Sequence, residues 1–120
     1  MHYTESHEWV KVTDSSASVG VSQYAQNELG DIVHIELPKV GSQVKKGQEM
    51  AVLESTKAAA DVYAPISGEI TEVNQLLIDH PEIINESAED KAWLVKIHMK
   101  DPTELESLMD HHKYEVFTKT

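Results

Sequence analysis

The chain has 120 residues, no cysteine, 10 Lys and Arg against 21 Asp and Glu, and a formal charge of -11. Its length suits one domain, its charge repels a phosphate-lined partner, and the missing thiols exclude disulfides, thiolate metal sites, a cysteine nucleophile and chain-borne redox chemistry. A chain this small also has little interior for an enclosed enzyme cavity, which favours a binding or carrier module.

The opening Met1-His2-Tyr3-Thr4-Glu5 lacks the basic, apolar and small-residue succession of a leader. No apolar run approaches the ~20 residues of a membrane span, so a soluble cytoplasmic protein is expected. Trp9-Val10-Lys11-Val12 and Ser18-Val19-Gly20-Val21 predict a hairpin across the turn-forming Thr13-Asp14-Ser15-Ser16. Ser22 can cap a short helix with Tyr24, Ala25 and Leu29 at helical spacing, and Gly30 can end it in the left-handed conformation. Period-two alternation then places Val33, Ile35 and Leu37 on one face of a strand and His34 on the other, until Pro38 interrupts the ladder.

Val44, Met50 to Glu54, Val62 to Ala64 and Glu69 to Val73 read as short strands punctuated by Gly41, Gly47 and Gly68. Such close spacing argues for an all-β barrel or sandwich. Gly41-Ser42-Gln43-Val44 and Gly68-Glu69-Ile70 stand on either side of Lys57 like half-motifs flanking a central turn. Ile83-Ile84 after Pro81 suggests one helical turn, and Trp93-Leu94-Val95-Lys96-Ile97 a last strand with Trp93, Val95 and Ile97 on one face.

Asp101-Pro102-Thr103-Glu104 predicts a helix start, with a cap, a proline at the first position and a glutamate reaching back to the cap. Leu105, Leu108 and Met109 form its apolar stripe, and Tyr114 and Phe117 continue the docking after a break near His111-His112. The expected organisation is a single domain over 1–120, with a core over about 17–99 and a helical segment over about 101–118.

Lys57 falls between Ala51-Val52-Leu53 and Asp61-Val62-Tyr63, where the chain must reverse, so it projects from a hairpin tip. Ala58, Ala59 and Ala60 leave its approach uncrowded. An exposed lysine is a poor base at neutral pH and chemically idle unless modified. The seven histidines, His2, His7, His34, His80, His98, His111 and His112, include no pair at zinc-site spacing with a third ligand nearby, so no metal is expected.

The run from Glu54-Ser55-Thr56-Lys57-Ala58 through Pro65-Ile66-Ser67-Gly68-Glu69-Ile70 resembles the lipoyl-lysine segment of the glycine cleavage system H proteins. The likeness extends to Tyr3 through Val10, Tyr24-Ala25-Gln26, Leu29-Gly30-Asp31-Ile32-Val33, Glu36-Leu37-Pro38, Ile84-Asn85, Trp93 through Ile97 and Leu105 through Met109. It implies a mainly β barrel-sandwich hybrid of the lipoyl/biotinyl-carrier type, with short peripheral helices and a C-terminal helix. It further implies lipoic acid joined to Lys57 in a non-catalytic carrier, expected to be a monomer, while the acidic charge and the lack of a long apolar run leave neither nucleic acid nor membrane as an expected partner. Such a carrier shuttles the aminomethyl group of glycine from a pyridoxal-phosphate glycine decarboxylase to a tetrahydrofolate-dependent aminomethyltransferase, then presents its dithiol to dihydrolipoamide dehydrogenase.

By the same resemblance, Glu54 serves recognition by lipoylating enzymes, Gly68 the hairpin geometry, and Glu8 with Asp61 a cleft for the loaded arm. A carboxylate pair would fix the labile cationic amine and keep water from it. The plainer reading makes Glu8 a solvated strand-entry residue and Asp61 an edge charge that discourages strand pairing.

Biotin carriers typically flank their lysine with methionines, whereas Thr56 and Ala58 stand here. Lipoyl domains of 2-oxoacid dehydrogenase acyltransferases usually lead into a linker, where a docked helix is expected here. The stretch 86–92 departs from the family's usual Pro-Tyr pair and glycine, so that loop is expected to differ in shape, and His34 replaces a common aromatic residue. These departures leave an alternative open: an H-like lipoyl donor or storage scaffold outside glycine cleavage.

Overall fold

The computed structural model describes residues 1–119. After β1 (His2–Tyr3), the first hairpin joins β2 (Glu8–Thr13) to β3 (Ser16–Val21), with Thr13 facing Ser16, so only Asp14 and Ser15 form the turn. Asp14 takes φ +56°, a left-handed conformation that aspartate tolerates. Ser22 accepts the Ala25 N–H at 3.1 Å to start α1 (Gln23–Leu29), and Gly30 ends it at φ +81°.

Next come β4 (Ile32–Glu36), β5 (Gln43–Val44), β6 (Glu49–Ser55), β7 (Ala59–Tyr63), β8 (Gly68–Val73), α2 (Leu76–Asp79), α3 (Ile83–Ser87) and β9 (Val95–Met99). A 3-10 helix (Pro102–Ser107) and α4 (His111–Thr118) complete the described chain. The strands form a six-stranded sheet in the order β1-β2-β3-β9-β8-β5 and a three-stranded sheet in the order β4-β6-β7. Val10, Val19, Leu53, Val62, Ile66, Ile70, Leu94 and Ile97 fill the space between them. This is the expected mainly β barrel-sandwich with short helices outside it. The two half-motifs around Lys57 pair with each other: Gln43 faces Glu69 and Val44 faces Gly68.

Three local expectations are corrected. Alternation fails in β4, because a bulge between Ile32 and His34 shifts the register against β6. Ile32 and Ile35 point inward as a result, while Val33 is 55% exposed. The last strand starts at Val95, two residues late, and buries Val95, Ile97 and Met99. Trp93 precedes it and packs on a separate cluster of Tyr3, Trp9 and Tyr114, its carbonyl held at 2.8 Å by the Asn74 side-chain amide.

The third correction is at the C-terminal side. Asp101 does cap, accepting the Thr103 N–H at 3.0 Å, but Glu104 does not reach back to it. Its carboxylate instead accepts the N–H and hydroxyl of Ser67 at 2.7 and 2.9 Å, so the segment is tied to the barrel rather than to its own first turn. Met109 then exchanges two 2.8 Å backbone hydrogen bonds with Tyr3. Asp110 caps a new helix through the Lys113 N–H at 2.8 Å, so the expected break falls over 108–110 and His111-His112 begin α4 just after it. Among the described residues, no helix is long and apolar enough to cross a membrane.

Two glycines are required by close approach. A Cβ on Gly20 would lie 2.7 Å from the Trp9 ring, which covers it and donates from Nε1 to the Ala88 carbonyl at 2.9 Å. A Cβ on Gly68 would lie 2.0 Å from the His98 carbonyl oxygen, inside the β8–β9 ladder. Gly68→Ala is therefore expected to cost about 3 kcal/mol through overpacking, read as a lower urea midpoint. A midpoint matching the parent would show that the ladder can yield there.

Candidate functional site

The β6–β7 hairpin carries Lys57 at its tip, and one serine shapes the turn. Ser55 Oγ accepts the backbone N–H groups of Lys57 and Ala58 at 3.1 and 3.0 Å, and the Ser55 N–H donates to the Ala58 carbonyl at 2.8 Å. A serine side chain thus substitutes for the Asn-Gly sequence that tight hairpins favour. The Thr56 N–H donates to the Asp31 carbonyl at 3.1 Å, which moors the tip to the start of β4.

On either side of Asp31, Asn85 holds the chain: its Nδ2 donates to the Gly30 carbonyl at 2.8 Å and its Oδ1 accepts the Ile32 N–H at 2.9 Å. Lys57 is exposed, and its side chain lies above Gly30, where an added Cβ would meet Cε at 3.5 Å.

Beside this tip, between α1 and the β6–β7 hairpin, lies a cleft of about 370 Å³. Val21, Ala25, Leu29, Leu53 and Val62 give it apolar walls, and Ser6, Glu8, Glu28 and Asp61 give it polar ones. Glu8 is only 1% exposed, so it is not the solvated strand-entry residue of the plainer reading. Its Oε1 accepts the hydroxyls of Thr4 and Ser6, each at 2.6 Å, and its Oε2 accepts the Tyr63 N–H at 3.3 Å. The turn that wraps this carboxylate is closed by His7 at φ +74°, whose N–H donates to the Thr4 carbonyl at 3.1 Å.

Asp61 lies on β7, the edge of the three-stranded sheet, exposed and lining the same cleft as Glu8. Glu54 is half-buried near the end of β6, opposite Ala59 on one side and His34 on the other. Gly68 stands apart from these residues, in the six-stranded sheet. What fixes it is the His98 carbonyl, not the geometry of the lysine hairpin. Among the described residues, no three His, Asp and Glu side chains gather as metal ligands would.

As residues of the site, Thr4, Ser6 and the α1 side chains Tyr24, Ala25, Glu28 and Leu29 escaped the sequence reading. The signal was present in Thr4-Glu5-Ser6-His7-Glu8, where short hydroxyl side chains two and four positions before a glutamate can bond it locally. An aromatic cluster supports this turn from behind. The Tyr114 hydroxyl lies 2.7 Å from His7 Nδ1 and 2.6 Å from Ser22 Oγ, and its ring stacks on Tyr3 with centroids 4.3 Å apart. Tyr3 donates to Glu89 Oε1 at 2.8 Å, while Glu89 Oε2 accepts the first N–H of α1, that of Gln23, at 2.7 Å. Burial raises the pKa of both phenols, and for Tyr3 the hydrogen bond to Glu89 and its charge add to the rise.

The family model described as Glycine cleavage H-protein matches residues 1–120. The glycine cleavage system H protein of Thermotoga maritima is 51% identical over 115 residues, covering 96% of this chain and 93% of that protein. That of Xanthobacter autotrophicus is 48% identical over 120 residues, covering 100% and 96%. The crystal structure of a glycine cleavage system H protein from Mycobacterium marinum superposes with a TM-score of 0.92 at 31% identity, over 99% of this chain and 96% of that one.

The tyrosine network sets an alkaline limit. A phenol whose folded-state value is raised contributes stability that is fully present below the unfolded value and is lost as pH climbs above it, from about 10. The urea midpoint is expected to fall above that pH, and to fall less steeply in Tyr3→Phe than in the parent. The same decline in both proteins would rule Tyr3 out as its source.

Proposed function

The chain belongs to the glycine cleavage H-protein family, whose members are carriers and not catalysts, and from that premise we propose that Lys57 bears lipoic acid in amide linkage. The observation that carries this reading is the placement of the Lys57 side chain over Gly30, at the edge of a cleft whose carboxylate, Glu8, is almost wholly buried. The cleft suits such an arm. Its volume of about 370 Å³ falls within the usual range of small-molecule sites, and Ala25, Leu29, Leu53 and Val62 match an alkyl chain. Bound lipoate supplies a disulfide and dithiol on which the aminomethyl group of glycine passes from glycine decarboxylase to aminomethyltransferase, with dihydrolipoamide dehydrogenase restoring the disulfide.

The chain's own residues bind, orient and shield. Glu8, fixed through both carboxylate oxygens, is a preorganised acceptor for a cationic amine brought into the cleft. Asp61 and Glu28 strengthen the negative field around it, and the walls from α1 and β6 limit the entry of water. Glu54, three residues before Lys57 on β6, is presented to the lipoylating enzymes. The protein works in the cytoplasm as a monomer, in company with those enzymes. A storage scaffold would use Lys57 but would have no need of a buried carboxylate in the cleft.

Lys57→Arg is expected to abolish lipoate attachment, read by intact mass, and glycine–bicarbonate exchange. Its stability should change by no more than ~0.5 kcal/mol, as usual for an exposed substitution away from packing. Marked unfolding would contradict the surface role given to Lys57. Glu8→Ala is expected to accept lipoate normally but to release ammonia faster once loaded; release at the parent's rate would take Glu8 out of the site.

A further inference from the structure

Outside the cleft, the fold leaves an apolar surface uncovered beside the lysine. Leu76 and Ile78 on α2 are 52% and 47% exposed, and Val33, turned outward by the bulge in β4, is 55% exposed. α2 packs against β4, so these side chains stand on neighbouring elements. The fold does not explain them: the buried Leu77 alone anchors α2, and polar residues on either side of it would serve as well. Leu76 also forms one wall of a depression of about 490 Å³, with Ile83, Glu86, Ser87 and Lys91 as the others.

This surface is continuous with the lysine tip through a single hydrogen-bonded layer. Asn85, on α3 between Ile83 and Glu86, bonds Gly30 and Ile32, Asp31 between them holds Thr56, and the Lys57 side chain lies over Gly30. Any enzyme that acts on an arm at Lys57 must cover the ground next to it.

Charge selects the occupant. Asp31, Glu54, Asp79, Glu82 and Glu86 lie on these same segments against Lys91, and Lys57 itself loses its charge once it is amide-linked. A second copy of a chain with net charge -11 would bring the same acidic rim and be repelled, whereas an enzyme whose active-site mouth is ringed by Lys and Arg would be drawn in.

We propose that Leu76, Ile78 and Val33 form the docking surface for the enzymes that act on the lipoyl arm, receiving an apolar side chain of the enzyme into the depression between α2 and α3. The proposal rests on the reading that Lys57 carries lipoate.

The test uses the fully lipoylated protein, checked by intact mass, with purified glycine decarboxylase, aminomethyltransferase and dihydrolipoamide dehydrogenase in turn. The Leu76→Ser/Ile78→Ser variant is expected to raise the KM for the carrier about tenfold with at least one of them while kcat stays within about twofold. Val33→Thr probes the same surface from β4 should the α2 variant prove unstable, and the parent's KM should rise with ionic strength. Val40→Ser, an equally exposed residue beyond the far end of β4, should leave KM unchanged. KM values at the parent's level in both surface variants with all three enzymes would overturn the docking surface alone. So would a parent dimer in sedimentation that the serine variant dissolves, since the occupant would then be a second copy. A lipoylated parent that supports none of the three enzymes would overturn the carrier reading and this inference together.

Discussion

Ser55 shapes the Lys57 turn, and what moors that turn to the elements around it converges on the three residues from Gly30 to Ile32. One amide side chain, Asn85, both donates to and accepts from this short stretch, so α1 must end and β4 must begin at one fixed point. The hairpin tip is then hung from the carbonyl of the residue between them. A buried backbone group left unpaired here would be costly, so the three attachments reinforce one another. With them in place, an exposed lysine on a turn becomes an anchor of known direction over Gly30. Without them it would be one more mobile surface cation.

The cleft is built from a different part of the chain and by a different device. Glu8 is buried because Thr4 and Ser6, which lie just before it, satisfy one oxygen and a strand N–H from β7 satisfies the other. A carboxylate so placed cannot be carried by the main apolar core. It sits at the seam between that core and the smaller cluster of Tyr3, Trp9 and Tyr114, where hydroxyl groups are available to bond it and its neighbours. The stretch 86–92 joins the same seam through the Ala88 carbonyl and the Glu89 carboxylate.

Much of this was legible in the sequence where the signal is local. The first hairpin, the Ser22 cap, the Gly30 stop and the Lys57 reversal each follow from a few adjacent residues whose preferences agree. Misreadings came where a distant partner outweighed a local preference. Glu104 is well placed to close a capping box, yet the N–H and hydroxyl of Ser67 bind it instead. Val33 fits a period-two pattern that a bulge then breaks, and no residue in β4 announces that bulge. Lys57 was visible as a turn residue, but its chemistry came from resemblance, since an amine on a hairpin looks the same whether modified or idle. The burial of Glu8 depends on β7 and on the aromatic cluster, which a reading of the N-terminal residues alone cannot supply.

The bond between His7 and Tyr114 spans 107 positions in the chain. The turn around Glu8 leans on it, and the Tyr3–Met109 bridge closes nearly the same distance. The lysine hairpin, by contrast, needs no partner later in the chain than Asn85. During synthesis at the ribosome the tip that receives the cofactor can therefore take shape while the cleft that shelters the cargo is still open at its back. Met109 and Tyr114, which emerge after Asn85, complete the shelter, so the order of manufacture runs from attachment point to enclosure.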